Sequence, residues 1–191
     1  VPYKIRNVKY QSDNVDCRNI IQSKIIDKEL KPGDLFDVDK LNNVRAIVTK
    51  QAQREGFYFF DKDVISFQVD SSLSSHSVDI NIVVSNEKSE KNVKTNGEKS
   101  TVVIDPFVRY GIRHIWFVTE YDYNEALKNK DYLFKGYDTL QVSEGVSFLY
   151  KNKITVNPSV FLNCNYIVKG DFYDISRVEK RKLLLSQNRI F

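Results

Sequence analysis

A nine-residue pattern occurs twice in this chain and constrains the fold more than any other feature. The run from Gly33 to Leu41, Gly-Asp-Leu-Phe-Asp-Val-Asp-Lys-Leu, is matched at constant offset by Gly-Asp-Phe-Tyr-Asp-Ile-Ser-Arg-Val from Gly170 to Val178. Class by class the two copies share glycine, aspartate, two bulky apolar residues, aspartate, an apolar residue, a small polar residue, a base and an apolar residue. Self-similarity of this kind means that one supersecondary unit is used twice. The local chemistry says which unit. Apolar Ile20, Ile21, Ile25 and Leu30 precede the first glycine at roughly helical spacing. Gly33 then stands where a helix ends and a residue able to take positive φ is favoured. Asp37 follows as the N-cap of a second helix, whose apolar face is Leu41, Val44, Ile47, Val48 and Ala52 and which should stop at Gly56.

Strands flank this helix pair. Tyr3, Ile5, Val8 and Tyr10 predict an opening strand. An aromatic run, Phe57 to Phe60, leaves the second helix, and Val64 to Val69 reads as a strand. Val78, Ile80, Ile82 and Val84 alternate with polar residues, as in a strand with one buried face. The order over residues 1–85 is therefore β-α-α-β-β. Residues 86–101 are polar and charge-mixed and read as a solvated linker. A second unit is expected over 102–191. It opens with the apolar stretch Val103 to Val118, carries a tyrosine-rich insert (Tyr121, Tyr123, Tyr132, Tyr137) and has a strand at Val146 to Tyr150. Pro158 starts a helix, lined by Val160, Phe161 and Ile167. Gly170 ends it and Asp174 caps the next, lined by Ile175, Val178, Leu184 and Leu185. Two closing strands would then be needed, so the second unit is expected to be incomplete at its C-terminus and the chain an excised piece of a longer protein. The fold class that follows is α+β, two helices on a three-stranded mixed sheet, used twice.

Composition narrows the function. Hydrophobic residues make up 41% and aromatics 13% of 191 residues, which supplies packed cores for two small domains. The 29 basic residues are interspersed with 25 acidic ones, for a net charge of +4, so the charges read as a solvated surface and no nucleic-acid partner is expected. No apolar run approaches the ~20 residues of a spanning helix, and the N-terminus lacks the pattern of a signal peptide. Cys17 and Cys164 match no zinc spacing and read as two buried thiols, with a disulfide between the halves as the other reading. His76 stands in a serine-rich turn and His114 just before Trp116, neither beside a nucleophile or a ligand cluster. No phosphate-binding glycine loop is present. The acid pairs Asp37/Asp39 and Asp61/Asp63 are explained by caps and turns. The expectation is a chain with no enzymatic activity, no cofactor and no metal.

The ordered motifs resemble a known family. Lys31-Pro32-Gly33-Asp34-Leu35-Phe36, Gly56-Phe57-Tyr58-Phe59 and Val168-Lys169-Gly170-Asp171-Phe172-Tyr173, set in a β-α-α-β-β unit, look like POTRA (polypeptide-transport-associated) domains. The insert before Val146 to Tyr150 is most similar to BamA/TamA-like proteins of Bacteroidetes. Gly33, Asp34, Gly56, Gly170 and Asp171 are the structural motif residues. The second unit departs from the pattern, since Asn188 to Phe191 has no counterpart of Gly56.

The resemblance implies the periplasmic arm of an outer-membrane β-barrel assembly or translocation protein, attached to its barrel in the full-length protein. Its implied partners are unfolded outer-membrane protein clients and periplasmic accessory proteins or lipoproteins. The implied mechanism is β-augmentation, in which an extended peptide adds to a sheet edge through main-chain hydrogen bonds. By the same analogy the binding edge is Val64 to Val69, with Val64, Ile65, Phe67 and Val69 as its residues. The competing reading is an edge merely guarded by Lys62 and Asp63. A surface adhesin or carbohydrate-binding module, suggested by the tyrosine-rich insert, is the alternative function. The POTRA arm of a two-partner secretion barrel is a further one.

Overall fold

The computed structural model describes residues 2–22, 26–72, 76–85, 89–95, 98–128 and 135–187. The chain divides into two compact units, Val1–Tyr110 and Gly111–Phe191.

The first unit contains β1 (Lys4–Ser12), α1 (Val15–Ile21), α2 (Ile26–Glu29), α3 (Val38–Arg54), β2 (Ile65–Asp70), β3 (Ser77–Val84), β4 (Ser89–Thr95) and β5 (Glu98–Ile104). The strands β1, β3 and β2 form one sheet in that order, with β3 parallel to β1 and antiparallel to β2. The pattern of β3 explains its central place. Val78, Ile80, Ile82 and Val84 are all buried against the helices, while the residues between them are half-buried on the other face. Helix α3 presents Leu41, Val44, Val48 and Ala52 to this core at helical spacing. Its first turn is capped as expected, Asp37 accepting from the Asp39 N–H at 2.8 Å. The apolar stretch before Gly33 forms two helices where one was expected: α1, capped by Asn14, and the single-turn α2. Ile25 lies outside the described residues. On the sheet's solvent face, Arg6 makes a bidentate pair with Asp79 at 2.8 and 2.6 Å. Asn81 bridges Gln11 and Gln68. That hydrogen bond from Arg6 holds the Asp79 carboxyl below the usual carboxylate range.

Two expectations about organisation are corrected. Residues 86–101, read as a linker, largely form a hairpin in which β4 pairs antiparallel with β5 from Ser89↔Ile104 to Thr95↔Glu98. Main-chain pairing stabilises such a ribbon without the apolar alternation that a half-buried strand shows. The unit boundary also falls between Tyr110 and Gly111, not at 85 and 102. After β5 the chain returns to the first core: Phe107 packs 6.1 Å from the Phe60 ring, and the Tyr110 N–H donates to the Gly56 carbonyl at 2.9 Å.

The second unit contains β6 (Ile115–Val118), α4 (Tyr123–Lys128), β7 (Asp138–Ser143), β8 (Val146–Tyr150), α5 (Pro158–Asn163) and α6 (Ile175–Gln187). Its sheet runs β6-β8-β7, with β8 parallel to β6 and antiparallel to β7. This is the plan of the first sheet. The central and far-edge positions, held in the first unit by strands that follow the helix pair, are held here by β7 and β8, which precede it. The expectation of a sheet left short of two strands is therefore corrected: three strands are present, one of them β7, which lies between the tyrosine-rich insert and β8. The core is an aromatic trio, Phe148 lying 5.4 Å from Phe117 and 4.8 Å from Phe161, closed by Ile115, Val146, Cys164 and Leu185. Among the described residues no helix is long and apolar enough to cross a membrane.

Candidate functional site

The repeated motif folds the same way in both units. The Gly33 N–H donates to the Ile5 carbonyl at 2.7 Å, and the Ile5 N–H donates to the Asp34 carbonyl at 2.8 Å. In the second unit the Gly170 N–H donates to the Ile112 carbonyl and the Ile112 N–H to the Asp171 carbonyl, both at 2.8 Å. The turn thus clamps the start of each opening strand. The acid beside each glycine holds a base six residues on, Asp34 with Lys40 at 3.1 Å and Asp171 with Arg177 at 2.5 Å. The second acid caps the next helix, Asp174 accepting from the Ser176 N–H at 2.8 Å as Asp37 does in the first unit. Gly33 and Gly170 adopt φ of 95° and 92°. A Cβ at either would meet nothing within 4 Å, so conformation alone requires glycine. Replacing either by alanine is expected to cost about 1–3 kcal/mol, read as an earlier urea midpoint. A change within error at both positions would show that the turn adapts freely.

The predicted docking edge is also placed. Strand β2 lies at the edge of its sheet. Val64 falls just outside it, in a 3₁₀ turn over Lys62–Val64, and its carbonyl accepts from the Ser85 N–H at 3.1 Å. The register pairs Ser66 with Val83, Gln68 with Asn81 and Asp70 with Asp79. In an antiparallel ladder hydrogen-bonded pairs alternate with non-bonded ones. The bond at Val64 therefore assigns the bonded positions to 64, 66, 68 and 70. The main-chain groups of Ile65, Phe67 and Val69 point away from β3. Those of Ile65 are engaged: its N–H bonds the Lys62 carbonyl, and its carbonyl accepts from Arg45 Nε at 3.2 Å. The open stretch is Phe67 and Val69, where no other described residue takes the outward groups. Their side chains point toward the helices. Ile65 is buried, Phe67 is half-buried with the Arg45 guanidinium carbon 5.0 Å from its ring centre, and Val69 is 39% exposed. Lys62 and Asp63 are exposed but precede the strand, so they do not cover the open stretch.

Residues 3–87 match the model of the POTRA family, described as surface antigen variable number repeat. The fold is the POTRA fold. Among curated proteins, none matches this chain in sequence. Among solved structures it is similar to the crystal structure of Haemophilus influenzae BamA POTRA3-5, with a TM-score of 0.54 and 12% sequence identity. That likeness covers 99% of this chain and 52% of the BamA chain, so the present chain spans about half the length of the protein it resembles.

The fold also places the other residues singled out from the sequence. Gly56 ends α3, and its carbonyl accepts from the N–H groups of Tyr58 and Tyr110, both at 2.9 Å. Cys17 and Cys164 are buried thiols, neither held in a disulfide. Burial pushes the Cys17 thiol up to about 12, which keeps it protonated and unreactive. His76 is exposed, with its ring edge-on to Tyr3. His114 directly precedes β6, and its Nε2 lies 3.0 Å from Ser147 Oγ. Ser147 is buried at 4% exposure, and His114 is half-buried. Tyr121 and Tyr123 are exposed, whereas Tyr137 donates to the Glu120 carbonyl. Tyr132 lies outside the described residues. Among the described residues, no cluster of His, Cys, Asp and Glu could hold a metal ion. The sequence reading missed Arg45, because a base on a helix flank carries no signal until the strand beside it is placed.

Proposed function

We propose that this chain is a stretch of the periplasmic arm of an outer-membrane β-barrel assembly protein. Its first unit takes up extended segments of unfolded barrel clients at the open edge of β2. One observation carries the reading: two successive outward-facing residues, Phe67 and Val69, offer main-chain groups that no other described residue takes, on a strand whose other side is fixed by a full ladder to β3. Main-chain pairing is largely indifferent to side-chain sequence, which suits a scaffold that serves many clients. The match of residues 3–87 to the POTRA family and the fold shared with BamA POTRA3-5 support the same reading. Accessory periplasmic proteins or lipoproteins are the second class of partner proposed for the arm, and the attached β-barrel is proposed for the full-length protein.

Val69→Pro is the direct test. Proline removes the outward N–H of Val69 but leaves the bonds of Ser66, Gln68 and Asp70 to β3 intact, and edge strands tolerate it. Losing one or two main-chain bonds should weaken client-peptide binding about tenfold, with β3 amide protection unchanged. Equal binding and equal crosslinking of an unfolded barrel precursor by the two proteins would remove β2 as the docking edge.

A further inference from the structure

The inference below rests on the reading of β2 as a docking edge and concerns what that edge selects. Arg45 stands on the flank of α3 that borders β2. Its Nε holds the Ile65 carbonyl at 3.2 Å, its Nη1 reaches Asn42 Oδ1 at 3.4 Å, and its guanidinium lies over Phe67. Among the described residues no carboxylate pairs with it. One turn along the helix, Thr49 Oγ1 is buried with no hydrogen-bond partner among the described residues. This flank therefore holds a half-buried cation with donors to spare beside the end of the open edge.

The geometry sets up a competition. A strand added at Phe67 and Val69 gains its next main-chain bond only at the Ile65 carbonyl, which Arg45 now occupies. Taking that carbonyl costs the half-buried guanidinium its main-chain acceptor and leaves it only the long bond to Asn42, which is unfavourable. A carboxylate on the incoming strand is the group that best offsets this, because the planar guanidinium fork matches it with two parallel charge-assisted bonds. A neutral segment offers no such exchange and must either stop at Phe67 or strand the arginine.

We propose that Arg45 makes the β2 edge selective for extended segments carrying an acidic side chain beside Ile65, and that it caps the edge when no such segment is bound. It is a specificity-determining residue: the main chain of β2 supplies the pairing and Arg45 chooses among the strands that pair.

The test uses the full chain and two short extended peptides alternating Thr and Val, one with Glu at its centre and the other with Gln there. The Glu peptide should bind about tenfold tighter than the Gln peptide, and the preference should shrink as salt is raised. Arg45→Gln should abolish the preference and leave the Gln peptide bound at least as tightly as before, since the Ile65 carbonyl is then free. Arg45→Lys should keep only part of it, because an ammonium is a point charge without the fork. It also serves as the second variant should Arg45→Gln fold poorly. Equal binding of both peptides to the unaltered chain, or a full preference in a folded Arg45→Gln protein, overturns the role of Arg45 and leaves the edge reading standing. No binding of either peptide to either protein overturns the edge reading itself, and this inference with it.

Discussion

Replacing Phe148 by alanine is expected to destabilise the second unit by about 3–5 kcal/mol. That is a large part of the ~5–15 kcal/mol that holds a typical domain folded. Phe148 is fully buried on the central strand β8, packed on Phe117 and edge-on to Phe161 at 4.8 Å. Removing the ring takes away one of three mutually packed aromatics in a core of only seven buried residues among those described. So small a core has few neighbours to close the cavity, which puts the cost at the upper end of the range. Trp116 is the one tryptophan of the chain and lies on β6 of the same unit. Its fluorescence during urea unfolding therefore reports this unit. A loss below about 1 kcal/mol would mean that the trio does not carry the core.

Phe57→Ala is expected to have a comparable effect on the first unit, about 3–5 kcal/mol. Phe57 follows Gly56 directly, is 1% exposed, and has the Arg109 guanidinium carbon 5.0 Å from its ring centre. Its N–H bonds the Ala52 carbonyl at 3.2 Å, so the side chain is fixed by the turn that ends α3. The substitution empties a site where helix end, core and returning chain meet. Hydrogen exchange at the Ile80 and Ile82 amides of β3 reads the loss in this unit. Unchanged exchange there would place the Phe57 ring outside the cooperative core.

Much of the first unit was legible because its signals are local. Val78 to Val84 alternates cleanly and forms β3, the periodic face from Leu41 to Ala52 forms α3, and Asp37 and Asp174 cap the helices that follow them. The repeat was legible as a repeat, but its purpose was not: the bonds from Gly33 and Asp34 to Ile5 span residues far apart in the chain, and only the fold brings them together. Polarity misled at residues 86–101, since β4 and β5 are read from pairing and turn chemistry. The Asn96-Gly97 dipeptide, a strong hairpin signal, was the available clue. At β7, Leu140 and Val142 alternate with polar neighbours ahead of the Glu144-Gly145 turn, a pattern overshadowed by the tyrosines before it.

The candidate edge was legible only in outline. Analogy gave the strand, while the boundary between engaged and open groups depended on tertiary contacts. Val64 drops out through its bond to Ser85, and Ile65 through Lys62 and Arg45. No sequence pattern distinguishes those two residues from Phe67 and Val69.

The proposed function requires extended client segments to pair with the main chain of β2 at Phe67 and Val69. Amide hydrogen exchange at those two residues, with and without a peptide taken from a barrel strand, tests it most directly. Both amides should exchange markedly more slowly when the peptide is bound, while the β3 amides stay as protected as before. Binding that leaves Phe67 and Val69 unchanged and protects amides elsewhere would contradict it.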